Sequence, residues 1–203
     1  MELTAQHLTI GYTTALHLPI DLTVRTGEIV GLTGPSGAGK TTLLRTLAGL
    51  TPPLDGTVTA TGQIGMLAQH PRQVTNPRWR LHRVIAEPTA IHGRTASATE
   101  LAGLARKAGL DLQLLQRFPS QVSDGQLQRA CLARLLAHNP QWVLCDEPTA
   151  MLDPIASGTI TTALTDLAAA GTGILIASHN HQQLHALADR VIDIAELSAD
   201  LTR

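Results

Sequence analysis

The residues most able to do chemistry stand at Gly34-Pro35-Ser36-Gly37-Ala38-Gly39-Lys40-Thr41-Thr42. Three glycines let backbone N–H groups curl inward around an anion. Lys40 is spaced to reach the outer phosphates of a nucleotide, and the Thr41 hydroxyl to bind Mg²⁺. The alternative is a tight turn ahead of an ordinary helix, and what separates the two is context. An apolar run, Glu28 to Leu32, precedes the loop as a short buried strand. A helix is expected from Thr42 to Leu50, stopped by Gly49 and Pro52-Pro53. Strand, glycine-rich turn and helix start form the setting in which a phosphate cradle works. Further along, two adjacent carboxylates, Asp146-Glu147, end the apolar run Trp142 to Cys145, and His179 follows the apolar run Ile174 to Ala177.

These groups need a scaffold. Leu8, Ile10 and Tyr12 alternate, as do Ile20, Leu22 and Val24, which predicts two half-buried strands, with Gly27 turning the second toward the phosphate strand. Asp55-Gly56 and Thr61-Gly62 read as turns flanking a strand from Thr57 to Ala60, and Ile64 to Ala68 as another strand, ending at Gln69. From Pro71 to Pro119 the pattern changes to helix and loop: one helix over Ala98 to Ala108 with Gly109 as its stop, and a second, short one over Asp111 to Phe118, broken by Pro119. Ser123 with Gln126 forms a capping box that opens a helix to about His138. Asp153-Pro154 is an N-cap and first helical position for a helix to Ala170. Val191 to Ile194 is the last strand. Strands alternating with helices predict an α/β fold with a mostly parallel sheet and helices on both faces. In such sheets ligands bind beyond the carboxyl ends of the strands. Gly34, Asp146 and His179 each follow such an end, so they can converge.

The chain has 203 residues, 43% hydrophobic and 15% charged, with a formal net charge of -1. That is a globular composition, one domain in size, and gives no reason to expect nucleic acid as a partner. Only Lys40 and Lys107 are lysines, so Lys at position 40 stands out against a chain that otherwise uses Arg. Cys131 and Cys145 lie in apolar runs and are expected to fill core, which fits a reducing compartment. No leader-like start or bilayer-length apolar run is present, so the chain is expected to be soluble and cytoplasmic, with any membrane role coming through a partner.

Five features in order resemble an ABC-type ATPase, the motor subunit of ABC transporters. They are the Walker A loop Gly34 to Thr42, Gln69 after a strand, the signature stretch Val122-Ser123-Asp124-Gly125-Gln126, the Walker B strand with Asp146-Glu147, and the switch His179. His70-Pro71-Arg72-Gln73-Val74-Thr75-Asn76-Pro77 and Ile85-Ala86-Glu87-Pro88 are most similar to the peptide/nickel importer branch. The resemblance implies a single ABC ATPase domain: a P-loop NTPase core with an N-terminal antiparallel β portion and a helical subdomain inserted over about 72–128. It implies ATP and Mg²⁺ as ligands. Asp146 would hold Mg²⁺ with Thr41, and Glu147 would deprotonate the attacking water. Gln69 would touch the metal or water, and His179 the γ-phosphate. Tyr12 would stack on adenine, the other reading being a core residue at a strand end. Ala150 to Asp153 would cross to another subunit, although Asp153 is equally a plain N-cap. Ser123, Gly125 and Gln126 of one subunit would close on ATP held by Gly34, Pro35, Ser36, Gly37, Ala38, Gly39, Lys40, Thr41 and Thr42 of another. The implied partners are therefore a second ATPase subunit, identical or similar, membrane-spanning permease subunits and an extracytoplasmic solute-binding protein, at the cytoplasmic face of the membrane. A soluble ABC-type ATPase in a non-transport complex is the other function class. The three histidines His179, His181 and His185 lack supporting carboxylates or cysteines and read as a polar helix face.

Two departures from the family pattern matter. Asn180 replaces the Asp that usually follows the switch His and still serves as a helix cap. Asp124 stands where the family usually has Gly. A carboxylate about 4 Å from a phosphate costs on the order of 1 kcal/mol at water-like dielectric and about 4 kcal/mol at an effective value of 20. Asp124 is therefore expected to point away from the nucleotide, the other reading being a weak half-site in an asymmetric pair with a glycine-containing partner.

Overall fold

A computed structural model describes residues 1–198, apart from 13, 17, 18 and 151. In chain order its elements are β1 (Glu2–Thr9), β2 (Ile20–Arg25), β3 (Ile29–Thr33), α1 (Lys40–Leu47), β4 (Asp55–Ala60), β5 (Ile64–Leu67), α2 (Leu81–Ile91) and α3 (Ala98–Lys107). They continue with α4 (Asp124–His138), β6 (Trp142–Asp146), α5 (Pro154–Ala169), β7 (Gly173–Ala177), α6 (His181–Leu187) and β8 (Arg190–Asp193). The chain divides into two compact units. The first comprises Met1–Met66, Gln141–Pro148 and Leu167–Arg203; the second comprises Leu67–Pro140 and Thr149–Asp166.

The first unit is built on sheets. A five-stranded sheet runs β5-β6-β7-β3-β8, and β3 is parallel to both β7 and β8, as β6 is to β7. Every residue of β3, β6 and β7 is buried, as expected of parallel strands covered on both faces, and this is why their sequences are continuous apolar runs. A second sheet, β2-β1-β4, is antiparallel, the expected N-terminal β portion. One core joins Leu3, Leu8, Ile20, Leu32, Leu43, Trp142 and Leu175. The Trp142 indole is fully buried, and its N–H donates to the Thr61 carbonyl at 2.9 Å.

Asp55-Gly56 is not the turn that the dipeptide suggests. Both residues lie inside β4, opposite a register shift in β1 where His7 has φ 50°. Gly56 has φ 83°, and a Cβ there would lie 2.3 Å from the His7 carbonyl oxygen, so the glycine is spent on a bulge within the ladder. The first helix also starts earlier than expected, at Lys40, and its backbone turns off at Gly49 with φ 71°.

The second unit is helical. Here α4 packs against α2 and α3. Leu81, Val84 and Ile85 of α2 are buried, as are Leu127, Cys131 and Leu135 of α4. The sequence reading assigns no helix over 81–91; the structure has one there, with Pro88 buried inside it. Asp111 to Phe118 is not an α-helix. Leu112–Gln116 is a 3-10 turn capped by the Asp111 side chain, and Pro119–Gln121 starts another. With a proline on its far side the segment is too short to propagate α-helical bonding. Among the described residues no helix is long and apolar enough to cross a membrane.

Candidate functional site

In the first unit β6, β7 and β3 are adjacent and parallel, so the residues after their carboxyl ends share one edge of the sheet. That brings the Gly34–Thr42 loop, Asp146-Glu147 and His179 together, as the strand ends implied. Gly34 has φ 143°, and a Cβ there would come within 2.7 Å of the Ile194 Cγ2 atom, so no other residue fits without displacing the chain that follows β8. Gly37 and Gly39 also have positive φ, at 80° and 86°. Gly39 is the N-cap of α1, and no side chain caps that helix and no acid lies in its first turn. The first turns of α3, α4 and α6 are capped by Ser97, Ser123 and Asn180, while α2 shares the open start but has no glycine loop before it. A helix start left open by its own side chains presents N–H donors and a positive dipole end, the preferred seat of a phosphate. The Lys40 ammonium donates to the carbonyls of Gly34 and Pro35, at 2.7 and 3.0 Å, which folds it back over the loop. The Thr41 side chain is exposed at the first helical turn.

Asp146 is 5% exposed and closes β6. Its neighbour Cys145 is fully enclosed, and burial, reinforced by the Asp146 charge, pushes that thiol well above its ordinary value. Glu147 has φ 46°, a left-handed conformation that a non-glycine residue adopts only when its surroundings hold it there. They do: its N–H donates to the Ala177 carbonyl at 2.9 Å. Its carboxylate accepts from the Ser178 hydroxyl at 3.1 Å, the His179 N–H at 2.9 Å and the His179 ring Nδ1 at 2.8 Å. A carboxylate only accepts, so Nδ1 carries a proton and Nε2 is the ring atom left for a ligand. The Glu147 side chain is 11% exposed and that of His179 72%. The sequence reading gives these two residues separate roles; the structure couples them directly, through Ser178 as well.

In the second unit Ser123 and Gln126 form the expected reciprocal capping box: the Ser123 hydroxyl accepts from the Gln126 N–H at 3.2 Å and the Gln126 amide oxygen from the Ser123 N–H at 3.0 Å. Gly125 leaves a Cβ position 3.4 Å from the Leu152 Cδ2 atom. Gln69 is half-buried, and the carbonyl of Ala68 just before it accepts from the Gln128 amide at 3.1 Å. Asp153 accepts from the Ala156 N–H at 2.9 Å, as an N-cap does, and that bond holds its carboxyl below the ordinary range. Met151, in the segment expected to cross to another subunit, lies outside the described residues. Tyr12, in the first unit, is 69% exposed on a bend after β1, which removes the core reading and leaves the ring open for stacking. Sequence reasoning missed Ser178, Gln128 and Arg72, whose guanidinium lies on the Asp124 carboxylate. Each acts across tens of residues, and no local pattern in a single sequence marks such a pair.

The family model for the ABC transporter matches residues 18–150. Over 195 residues the chain is 38% identical to the methionine import ATP-binding protein MetN 2 of Salmonella typhimurium, covering 85% of this chain and 56% of that protein. It is 35% identical over 196 residues to a Brucella abortus protein whose name assigns it provisionally to peptide import ATP binding, covering 85% and 58%. The chain thus spans little more than half the length of these relatives. A solved ATP-binding subunit of an ABC transporter superposes with a TM-score of 0.84 at 25% identity, over 96% of this chain and 87% of the other. An ordered set of phosphate-loop, signature and strand-end carboxylate motifs, on this fold and with these relatives, has one reading: the chain belongs to the ABC transporter family, as an ATP-binding domain.

Proposed function

We propose that this chain is the ATP-hydrolysing motor subunit of an ABC importer. The observation that carries the reading is the start of α1, a helix N-terminus that no side chain caps and no acid neutralises, with Lys40 folded over the same loop. The start of α2 is uncapped as well, but it follows no glycine loop and carries no lysine folded over it; at α1 the open donors, Gly34, Gly37, Gly39 and Lys40 meet in one place, which suits an anion. The N–H groups of Gly34 to Thr42 would cradle the phosphates, and Lys40 would exchange its two carbonyl contacts for phosphate oxygens. Tyr12, exposed, would stack on the adenine.

The donors present at the metal position suit Mg²⁺: a hydroxyl at Thr41 and a nearly buried carboxylate at Asp146, both hard oxygen ligands. When bound, the ion neutralises charge on the terminal phosphates. Glu147 is held in one orientation by three donors, and its carboxylate would take the proton of the attacking water. His179 would offer Nε2 to the γ-phosphate while its other nitrogen stays on Glu147. Gln69 would touch the metal or the water.

One chain holds one phosphate loop and one signature, so a complete site takes a second copy, with Ser123, Gly125 and Gln126 closing on ATP bound by the other. Ala150 to Asp153 would cross to the other subunit, with Asp153 also capping α5. The dimer would sit at the cytoplasmic face of a membrane beneath permease subunits, fed by a solute-binding protein, and move a small solute. The relatives include methionine and peptide importers, and the segments around Pro71 and Pro88 favour the peptide/nickel branch. The testing experiment is an equilibrium titration with a fluorescent ATP analogue. Lys40→Ala should weaken binding at least tenfold (our own threshold) while the fold, followed by circular dichroism, is retained; undiminished affinity would sink the reading.

A further inference from the structure

Asp124 is the residue that sets this signature apart, and Arg72 is the residue that answers it. Arg72 lies in the 3-10 turn Pro71–Gln73, three residues after Gln69. Its Nε donates to the Asp124 carboxylate at 2.6 Å, its Nη1 to the Pro119 carbonyl at 2.8 Å and its Nη2 to the Val122 carbonyl at 2.9 Å. One planar guanidinium thus spans the carboxylate at the first residue of α4 and two carbonyls of the loop leading into it. No lysine could do this, because the three acceptors lie in the fork of a guanidinium and would exceed the reach of one ammonium. Both side chains are 46% exposed, so the pair is open to solvent on one side and remains sensitive to ions. A second tie runs parallel to it, from Gln128 on α4 to the Ala68 carbonyl. The segment carrying Gln69 is therefore fastened on both flanks to the helix whose first turn is the signature.

We propose that Arg72 is a positioning residue for the signature loop: it binds and neutralises the Asp124 carboxylate, so that the loop can close on a phosphate despite carrying an acid where closure would be repelled. This rests on the proposed dimer, in which Ser123 and Gly125 meet ATP held by a second copy. The anion at Asp124 is kept because its charge also suits the N-terminus of α4, where the helix dipole favours an acid. Arg72 removes the cost of that charge to the incoming phosphate. Asp124 and Arg72 are thus one device, an acid and the base that silences it.

The test uses the full-length chain in a Glu147→Gln background, with ATP-dependent dimerisation measured by sedimentation velocity. Arg72→Met leaves Asp124 unpaired and should weaken dimerisation by at least about tenfold, the repulsion of an uncompensated carboxylate near phosphate. Raising salt should shrink that defect, since the exposed charge is screened within about 10 Å at 0.1 M. Arg72→Met with Asp124→Asn should return to within threefold of Asp124→Asn alone. A merely structural role for Arg72, pinning the loop carbonyls, predicts no rescue and no salt response, and either result overturns the proposal. So does an Arg72→Met chain that dimerises like its parent. Ser123→Arg separates the layers: if it abolishes the dimer while Arg72→Met does not, the composite site stands and the role of Arg72 falls. If the parent fails to dimerise, or Ser123→Arg dimerises like it, the dimer reading falls and the Arg72 proposal with it.

Discussion

The first unit satisfies its backbone mainly with ladders, whereas in the second, between helices, arginines bridge the loop carbonyls. In the sheet unit the polar groups of β3, β6, β7 and β8 pair strand to strand, and the chain is free to leave donors open where the strands end. In the helical unit the connections are 3-10 turns and loops whose carbonyls have no ladder. Guanidiniums take them up: Arg72 on Pro119 and Val122, Arg80 on Gln116, Arg129 on Gly109 and Arg134 on Val74. The bonds to Pro119 and Val122 are half-buried and those to Gln116, Gly109 and Val74 exposed; Arg serves all of them because it brings five donors in one plane. The helical unit accordingly holds ten of the 15 basic residues but only six of the 16 acidic ones. A net charge of -1 for the whole chain hides this imbalance. The difference teaches where each unit is vulnerable. The sheet unit should lose chemistry when a single group at a strand end is changed, and the helical unit should lose stability when Arg80, Arg129 or Arg134 is.

The largest effect is expected in the first unit. Glu147→Gln keeps the shape and one oxygen to accept from the two His179 donors, gives up the acceptor for the Ser178 hydroxyl and removes the base, so ATP turnover should fall by roughly 10²–10⁴-fold while nucleotide binding survives. Retained turnover in a preparation free of other ATPases would break the assignment, and with it the chemical half of the comparison. In the second unit Arg134→Met takes a donor from the Val74 carbonyl and strands Glu87, whose side chain is 33% exposed, 3.1 Å from the guanidinium. The expected cost is about 1–3 kcal/mol in urea unfolding, with ATP affinity unmoved. A variant as stable as the parent would show that the arginine contacts are ornament.

Ser123→Ala removes one half of the capping box on α4, for about 1 kcal/mol of stability. Its unfolding midpoint should shift less than that of Arg134→Met; the reverse order would mean that capping, not guanidinium bridging, holds this unit. The smallest effect is read by the two cysteines, one in each unit. Both are buried free thiols, Cys131 pushed up to about 11 by burial and Cys145 raised further. Native protein at pH 8 should therefore label only through local opening. ATP should slow labelling of Cys145, one residue before Asp146, more than that of Cys131. Equal protection would blur the line drawn between the units.

How much was legible beforehand depended on how local the signal was. The phosphate loop, the strand-end acids, the capping box and the Asp153 cap are each written within a few residues, and the structure places each on the element its pattern implied. Fully buried parallel strands announced themselves as unbroken apolar runs. Where a local signal served two geometries, reading failed: Asp55-Gly56 reads as a turn but makes a bulge, and Asp111 to Phe118 reads as a short helix but holds a 3-10 turn.

The sequence by itself determined the kind of chemistry, because phosphate binding needs a particular order of glycines, a lysine and hydroxyls along one short stretch. Tertiary structure alone decided how those groups are held. Glu147 and His179 are 32 residues apart, Arg72 and Asp124 are 52 apart, and each pair meets only after the chain has folded. A contact of that range is fixed by the packing of whole elements, and nothing in the residues between encodes it.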